Sequence, residues 1–281
     1  MDTTFVFENC MSPIDPTLSI QSLETSNYHF QYIDTGNPSG YTILFIHGYP
    51  GRPQDFRWMF PFLKEYRIIS IAMPNLDMTT TKTNIPTTSI MDRVHAVLEF
   101  TTAKNISNCA LIAHSMGGPI ALALARHHPS LVSCVTLIAS VGAFPYKIFR
   151  QSKPRLGYKL ISHPYVGPLF KPFVPHFFSI LGFPKGISVQ AMTHVLHCAT
   201  DFSFRENKEN LEHIQQPCLH VWTTDDPYIE EELFLDMKTR IQHCTSVSFT
   251  DGGHNPQRVY PKEIVSHMQQ LLYTTIKTET V

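Results

Sequence analysis

One serine of this chain stands where backbone geometry could turn it into a nucleophile. Ser115 follows a short apolar run, residues 109–113, and precedes Gly117 and a series of small apolar residues that favours a helix. A strand, a sharp turn through one serine and an immediate helix hold the hydroxyl clear of the sheet edge. The neighbours must then be small, as Ala113 and Gly117 are. The first amides of the helix would place partial positive charge beside an oxyanion, so the sequence predicts attack on a carbonyl group.

Two motifs resemble those of a known family. The segment Ala-His-Ser-Met-Gly around Ser115 is similar to the nucleophile elbow of the α/β-hydrolases, usually Gly-x-Ser-x-Gly, with Ala113 in place of the first glycine. Residues 43–51, Ile-Leu-Phe-Ile-His-Gly-Tyr-Pro-Gly, look like the His-Gly-x-Pro turn that this family places after its third strand. The chain is therefore identified as a member of the α/β-hydrolase superfamily, in the group of serine hydrolases with a His-Gly-x-Pro turn.

The resemblance implies an oxyanion hole made of two backbone amides. In this family the amide after His-Gly and the amide after the nucleophile hold the developing negative charge. By resemblance, these donors are the N–H groups of Tyr49 and Met116. His47 then braces the loop and is not a base.

The family's chain order locates the acid and the base. A triad of this fold runs serine, acid, histidine, and the sequence has no Asp or Glu between Ser115 and Asp201. The next strand candidate ends in Thr-Thr-Asp-Asp-Pro, where Asp226 matches the family's acid position better than Asp225; the choice between these neighbours stays open. His254, in Asp-Gly-Gly-His-Asn-Pro before the final helix, matches the family's histidine. The predicted catalytic residues are Ser115, Asp226 and His254.

Strand-like and helical segments alternate along the chain. The strand candidates are 28–33, 42–46, 67–72, 109–113, 134–139, 218–222 and 245–249. The helical candidates are 54–63, 89–102, 116–127, 229–239 and 261–273. This alternation predicts an α/β fold, the α/β-hydrolase fold, with a mostly parallel twisted sheet flanked by helices.

The alternation breaks in a segment that is rich in proline and aromatic residues. We predict a core formed by residues 1–143 and 208–281, and a mainly helical cap, or lid, formed by 144–207. Ten of the 32 aromatic residues lie within residues 144–183. Some of them must pack the cap itself, and the others would roof an apolar pocket over the sheet edge.

The charges of the chain are unevenly distributed. The formal net charge is only -1, which gives no support to a nucleic-acid partner. Residues 100–200 nevertheless contain no Asp or Glu and nine basic residues: Lys104, Arg126, Lys147, Arg150, Lys153, Arg155, Lys159, Lys171 and Lys185. Three interpretations stay open: the cations are solvated and offset by acids of the core, they steer an anionic substrate, or they contact an anionic membrane surface.

The predicted reaction is hydrolysis of a carboxylic ester with an apolar or lipid-like acyl group, through an acyl-enzyme intermediate. It needs no cofactor and no metal. A serine nucleophile argues against the aspartate-based relatives that open epoxides or remove halides. Thioesterase, haloperoxidase and carbon–carbon bond hydrolase chemistry stay open. So does a hydrolase-fold receptor that binds a ligand with negligible turnover.

The sequence favours a cytoplasmic location, with peripheral contact at a membrane left open. The first residues include acids and prolines where a secretory signal would have a basic end and an apolar core. The six cysteines form no Cys-x-x-Cys pair and four begin strand candidates, so we expect them to behave as small buried hydrophobic residues.

Overall fold

The computed structural model describes residues 18–82, 85–180, 183 and 186–279. Cys10 and Lys185, which enter the predictions above, lie outside these residues, as do the first 17 residues of the predicted core.

The described chain forms one sheet with helices on both faces. Its strands are β1 (Gln21–Glu24), β2 (Tyr28–Gly36), β3 (Thr42–Ile46), β4 (Arg67–Ile71), β5 (Thr80–Thr81), β6 (Cys109–His114), β7 (Val132–Ile138), β8 (Cys218–Thr223) and β9 (Cys244–Phe249). They are ordered β1-β2-β4-β3-β6-β7-β8-β9, with β5 beside β2. β2 runs antiparallel to its neighbours, whereas β4, β3 and β6 to β9 are mutually parallel.

Four of the five helices predicted by position are present, and further helices lie between them. The helices are α1 (Ile90–Ala103), α2 (Gly117–His127), α3 (Lys147–Ser152), α4 (Pro154–Ser162), α5 (Gly167–Phe170), α6 (Val174–Ile180), α7 (Val189–Asp201), α8 (Phe204–His213), α9 (Glu231–Arg240), α10 (Pro256–Val259) and α11 (Pro261–Glu279). The prediction of a helix over 54–63 is wrong, because this segment forms two 3₁₀ turns, Pro53–Phe56 and Phe60–Phe62. Pro61 lacks the N–H that a continuous α-helix would need there.

Alternating side chains of the central strands divide the core into two layers. Leu44 and Ile46 of β3 pack with α1 and α2 on one face, whereas Ile43 and Phe45 pack with α11 on the other. Both layers are apolar because a parallel sheet is buried on both sides. The layers hold the C-terminal ends of the parallel strands in one row, where the loops that carry the predicted site begin.

The segment from α3 to α7 has a small core of its own. Ile161 of α4 and Val174 and Phe178 of α6 pack against Met192 and Leu196 of α7. The division into core and cap at residues 144 and 207 stays a prediction. Helix α8 crosses the second of these limits and packs on α2. Among the helices of the described ranges, none is both long and apolar enough to cross a membrane.

A buried histidine in β8 gives a test of this core. His220 is fully buried between Trp222 and Phe234, and within the described residues neither of its ring nitrogens has a hydrogen-bond partner. Burial lowers its pKa to about 3 from the ordinary value of 6.5. Below the ordinary value the unfolded chain therefore binds a proton that the folded chain does not, so stability is lost as the pH falls.

We expect His220→Leu to raise the free energy of unfolding by about 1 kcal/mol near pH 7.5, because an unsatisfied buried polar ring is removed. Near pH 5 the gain should reach about 3 kcal/mol, since the proton uptake of the unfolded histidine costs the wild type about 2 kcal/mol there. Urea unfolding at both pH values measures this. His243→Leu, at an exposed position, is the control and should leave the difference between the two pH values unchanged. An equal gain at both pH values would contradict the prediction.

Candidate active site

Ser115 occupies a strained turn between β6 and α2. Its φ of 51° lies in the left-handed region, which costs a residue with a side chain roughly 1–3 kcal/mol. The turn is fixed because the Ser115 N–H donates to the Ile138 carbonyl at 3.0 Å and the Gly118 N–H donates to the Ser115 carbonyl at 3.0 Å. Gly117 must be glycine, since a Cβ there would lie 2.3 Å from the carbonyl oxygen of Ile46. The turn therefore presents the hydroxyl at the sheet edge, as an elbow requires.

The structure brings the three predicted catalytic side chains into one hydrogen-bonded row. His254 Nε2 lies 2.8 Å from Ser115 Oγ, and His254 Nδ1 lies 2.7 Å from Asp226 Oδ2. The other carboxylate oxygen of Asp226 accepts the backbone N–H groups of Tyr228 at 2.8 Å and Ile229 at 3.1 Å. The Asp226 side chain is 1% exposed, so these hydrogen bonds provide the partners that a carboxylate buried away from water needs.

The neighbouring aspartate shapes the loop that carries the histidine. Asp225 Oδ1 accepts the N–H of Gly253 at 2.8 Å, and Thr223 donates its hydroxyl to the Gly253 carbonyl at 2.7 Å. Gly253 has a positive φ of 59°, a conformation that glycine adopts without strain. Asp225 therefore holds the backbone next to His254, while Asp226 contacts the imidazole.

The two predicted oxyanion donors lie on adjacent loops. Ile46 of β3 and Ala113 of β6 are register partners, so the turns that follow these strands emerge side by side. They approach so closely that a Cβ on Gly48 would lie 2.9 Å from Ser115 Cβ. In the part of the chain that the structure describes, neither the Tyr49 amide nor the Met116 amide donates to another protein group. Their role as an oxyanion hole stays a prediction.

Two buried histidines brace these loops without reaching the reacting position. The Nδ1–H of His47 donates to the Gly48 carbonyl at 2.7 Å, and its Nε2 accepts the Met73 N–H at 3.0 Å. His114 bonds through Nε2 to the carbonyl oxygen of His254 at 2.7 Å. Burial lowers the pKa of His47 to about 4 and that of His114 to about 3. Both rings are therefore neutral near pH 7. The bracing role of His47 agrees with the sequence analysis, whereas His114 was missed.

A buried arginine was also missed; it lies behind residues 47–51, the turn that carries the predicted oxyanion donor Tyr49 and is called here the oxyanion loop. The Arg93 guanidinium is 0% exposed and lies 4.2 Å from the centroid of the Tyr49 ring. It donates to His194 at 3.0 Å and to Cys198 at 2.7 Å, both on α7. The cation–π contact with the Tyr49 ring partly compensates the buried charge of the guanidinium, as a counter-ion would. Arg93 thus ties the oxyanion loop to a helix of the predicted cap; the spacing of α1 alone gives no signal of this.

An apolar cavity opens beside the row of catalytic candidates. Tyr49 and Met116 form its base. The remaining lining residues come from the segment 146–202: Tyr146, Ile148, Phe149, Pro154, Phe177, Phe178, Phe183, Val195, Leu196, Ala199 and Phe202. Such a lining accepts hydrocarbon and offers few partners to a polar group. The arrangement can therefore hold an apolar chain with its reacting carbon near Ser115 Oγ.

Comparison with known proteins agrees with this geometry. A family model described as the alpha/beta hydrolase fold matches residues 41–164, which contain both the oxyanion loop and the elbow. The chain has the α/β-hydrolase fold.

Individual members of the superfamily are distant from this chain. It is 23% identical over 271 residues to the uncharacterized hydrolase YugF of Bacillus subtilis (strain 168), covering 84% of this chain and 91% of YugF. It is 25% identical over 260 residues to lipase 1 of Psychrobacter immobilis, covering 85% and 79%. The crystal structure of haloalkane dehalogenase DbeA from Bradyrhizobium elkani USDA94 superimposes with a TM-score of 0.74 at 13% identity, covering 93% of this chain and 99% of that one. At that identity the likeness shows the fold alone.

Because Asp226 and Asp225 make different contacts, we expect their substitutions to have different effects on the reactivity of Ser115. We expect Asp226→Asn to slow labelling of Ser115 by a fluorophosphonate at least about 1,000-fold, because the amide no longer fixes the tautomer or stabilises the imidazolium. Asp225→Asn keeps an oxygen that accepts the Gly253 N–H, so labelling should stay within about threefold. Both rates are measured by quenching the labelling reaction at set times and analysing the intact protein by mass spectrometry. The reverse order of effects would assign the acid to Asp225.

Proposed function

We propose that this chain is a serine hydrolase that cleaves carboxylic esters with an apolar acyl group. The observation that carries the proposal is the hydrogen-bonded row Ser115–His254–Asp226, next to an apolar cavity that Met116, the neighbour of Ser115, helps to line. The relationship to lipase 1 supports ester hydrolysis as the reaction. A cytoplasmic location and a division into core and cap are part of the same proposal.

In the first half-reaction Ser115 Oγ attacks the ester carbonyl carbon. His254 Nε2 accepts the hydroxyl proton as the new C–O bond forms, and Asp226 stabilises the resulting imidazolium through Nδ1–H. The carbonyl oxygen becomes an oxyanion between the amides of Tyr49 and Met116. Each such donor contributes roughly 3 kcal/mol to lowering the barrier. These amides are directed by the backbone, so they need no reorganisation during the reaction.

In the second half-reaction the acyl group passes to water. The first half-reaction ends when the imidazolium gives its proton to the leaving alkoxide, which departs as the alcohol and leaves an ester on Ser115. Water then attacks that ester while His254 accepts a proton from it. The imidazolium returns this proton to Ser115 Oγ as the carboxylic acid is released, and the serine hydroxyl is regenerated. Every proton is transferred by His254, so the scheme calls for no metal or organic cofactor.

The lining of the cavity supports an apolar acyl group. Among the described residues that line it, the side chains are aromatic, aliphatic or, for Met116, a thioether, and the hydroxyl groups are those of Tyr49 and Tyr146. Burial raises the pKa of both phenols well above the ordinary value, so neither adds negative charge near neutral pH. A medium or long hydrocarbon chain is the ligand that such a wall stabilises through the hydrophobic effect.

We expect Ser115→Ala and His254→Ala each to lower kcat for p-nitrophenyl octanoate at least about 10,000-fold, and the double variant to lose little more. Circular dichroism checks that the variants are folded. Ser133→Ala, at a buried serine that is the second residue of β7 and lies at the opposite end of the strands, is the matched control and should retain turnover. The proposal would be contradicted if the fluorophosphonate labels Ser115 but esters, thioesters and amides are not turned over. That result would indicate a receptor that binds its ligand with negligible turnover.

Narrowing the cavity should change the preference for acyl length. We expect the wild type to cleave p-nitrophenyl octanoate with a higher kcat/KM than the acetate. Ala199→Phe adds a ring to the wall of the cavity and should lower kcat/KM for the octanoate at least about tenfold while leaving the acetate within about twofold. Ala199→Ser, nearly equal in volume, is the control. A higher kcat/KM of the wild type for short hydrophilic esters would contradict the proposal of an apolar substrate.

A further inference from the structure

The exposed apolar side chains of this protein are concentrated on one segment. Among the described residues, fourteen large hydrophobic side chains are exposed, and eight of them lie between residues 156 and 180. These eight are Leu156, Leu160, Tyr165, Leu169, Phe170, Phe173, Phe177 and Ile180. A contiguous apolar patch on the surface usually marks an interaction site.

These exposed side chains are distinct from those that form the internal packing of the segment. On α6, Val174 and Phe178 point inward to the small cluster with α7. Phe173, Phe177 and Ile180 are exposed and follow each other at spacings of four and three, which places them on one side of the helical chain. The segment therefore has an inner apolar face that is satisfied and an outer apolar face that is not.

Exposed cations flank this outer face. Arg155 and Lys159 alternate with Leu156 and Leu160 on α4, and Lys153 and Lys171 stand at the ends of neighbouring elements. In the described residues none of these four forms an ion pair with a carboxylate, whereas Arg150, closer to the core, pairs with Glu230. Since residues 100–200 contain no acid, the field over this face is positive.

We propose that this face, named here the outer cap face and formed by the eight exposed apolar residues with Lys153, Arg155, Lys159 and Lys171, docks on an anionic lipid surface. Apolar side chains enter the boundary between headgroups and acyl chains, while the cations remain at the level of the phosphates. A second copy of the chain fits less well. A two-fold contact would place each cationic face against itself, and like charges would oppose the association.

One residue connects the outer cap face with the cavity. Phe177 is 43% exposed and also lines the cavity above Tyr49 and Met116. A lipid molecule that leaves the membrane beside Phe177 would reach the cavity without crossing bulk water. This step rests on the proposed function, because it gives the docked face the role of substrate delivery; docking itself does not depend on it.

Co-sedimentation with vesicles tests the docking, and the Ser115→Ala variant keeps the lipid intact during the measurement. We expect binding to vesicles of equal parts phosphatidylglycerol and phosphatidylcholine, weakened by salt, and no binding to phosphatidylcholine alone. Arg155→Glu with Lys159→Glu should lower the partition coefficient at least about 30-fold. Lys64→Glu with Lys262→Glu, at two exposed positions away from the cap, makes the same change in net charge and should lower it less than about threefold.

The apolar half of the face needs its own variant. Leu169→Ser with Phe173→Ser should lower binding to the anionic vesicles about tenfold or more while the charges are kept. Hydrolysis of p-nitrophenyl octanoate by otherwise wild-type protein should be unaffected by the charge and serine pairs. Thus loss of docking and loss of the ester hydrolase function are separate results.

Three outcomes would overturn the proposal. Equal recovery in the supernatant with both kinds of vesicle excludes docking. Unchanged binding by the Arg155→Glu with Lys159→Glu variant assigns binding to another surface. A dimer in size-exclusion chromatography that the Leu169→Ser with Phe173→Ser variant converts to a monomer, without vesicle binding, makes the face a contact between copies.

Discussion

The close approach of two backbone turns controls the geometry of this protein's site. The loop after β3 and the elbow after β6 lie so near each other that a Cβ on Gly48 or on Gly117 would meet backbone or Ser115 within 3 Å. This contact exists because β3 and β6 are paired in parallel, with Ile46 beside Ala113. The left-handed conformation of Ser115 is the cost of the arrangement, roughly 1–3 kcal/mol, and the packing of β6 and α2 against both core layers offsets it.

Neutral buried histidines keep that geometry in place. His47 links the oxyanion loop to the backbone after β4, and His114 links the elbow to the loop that carries His254. Each ring donates through one nitrogen, and neither brings a charge, since burial holds both pKa values at about 4 or below. A charged brace would alter the field at the reacting carbon, whereas a neutral one orients the backbone only. Arg93 does bring a charge behind this loop, but its charge is spread over a planar group that stacks on Tyr49.

Local patterns predicted the fold and the three side chains that meet at the sheet edge, and failed where the outcome depends on distant contacts. The apolar runs located β3 and β6 because buried parallel strands leave a continuous signal; the short polar edge strand β1 leaves none and was missed. Asp226 and His254 could be located because each directly follows a strand at the same sheet edge. The role of Asp225 as acceptor for Gly253 depends on two loops 28 residues apart, and the contact of Arg93 with α7 spans 101 residues. Such contacts cannot be predicted from the spacing of residues along the chain.

Composition identified the aromatic segment as unusual but could not separate its inner residues from its outer ones. Phe177 and Phe178 are adjacent in sequence, yet Phe178 is 3% exposed within the cluster on α7 and Phe177 is 43% exposed. A helix with one apolar face has an evident periodicity, whereas a helix with two loses it, because aromatic residues occupy both sides. Sequence alone therefore left packing of the segment and contact with a partner as competing explanations. The structure separates the residues: Val174 and Phe178 join the segment to α7, while Phe173 and Ile180 are exposed. Arg93 then joins α7 to the oxyanion loop, so the same helix that packs the inner side of the segment also contacts, through Arg93, the loop that carries Tyr49.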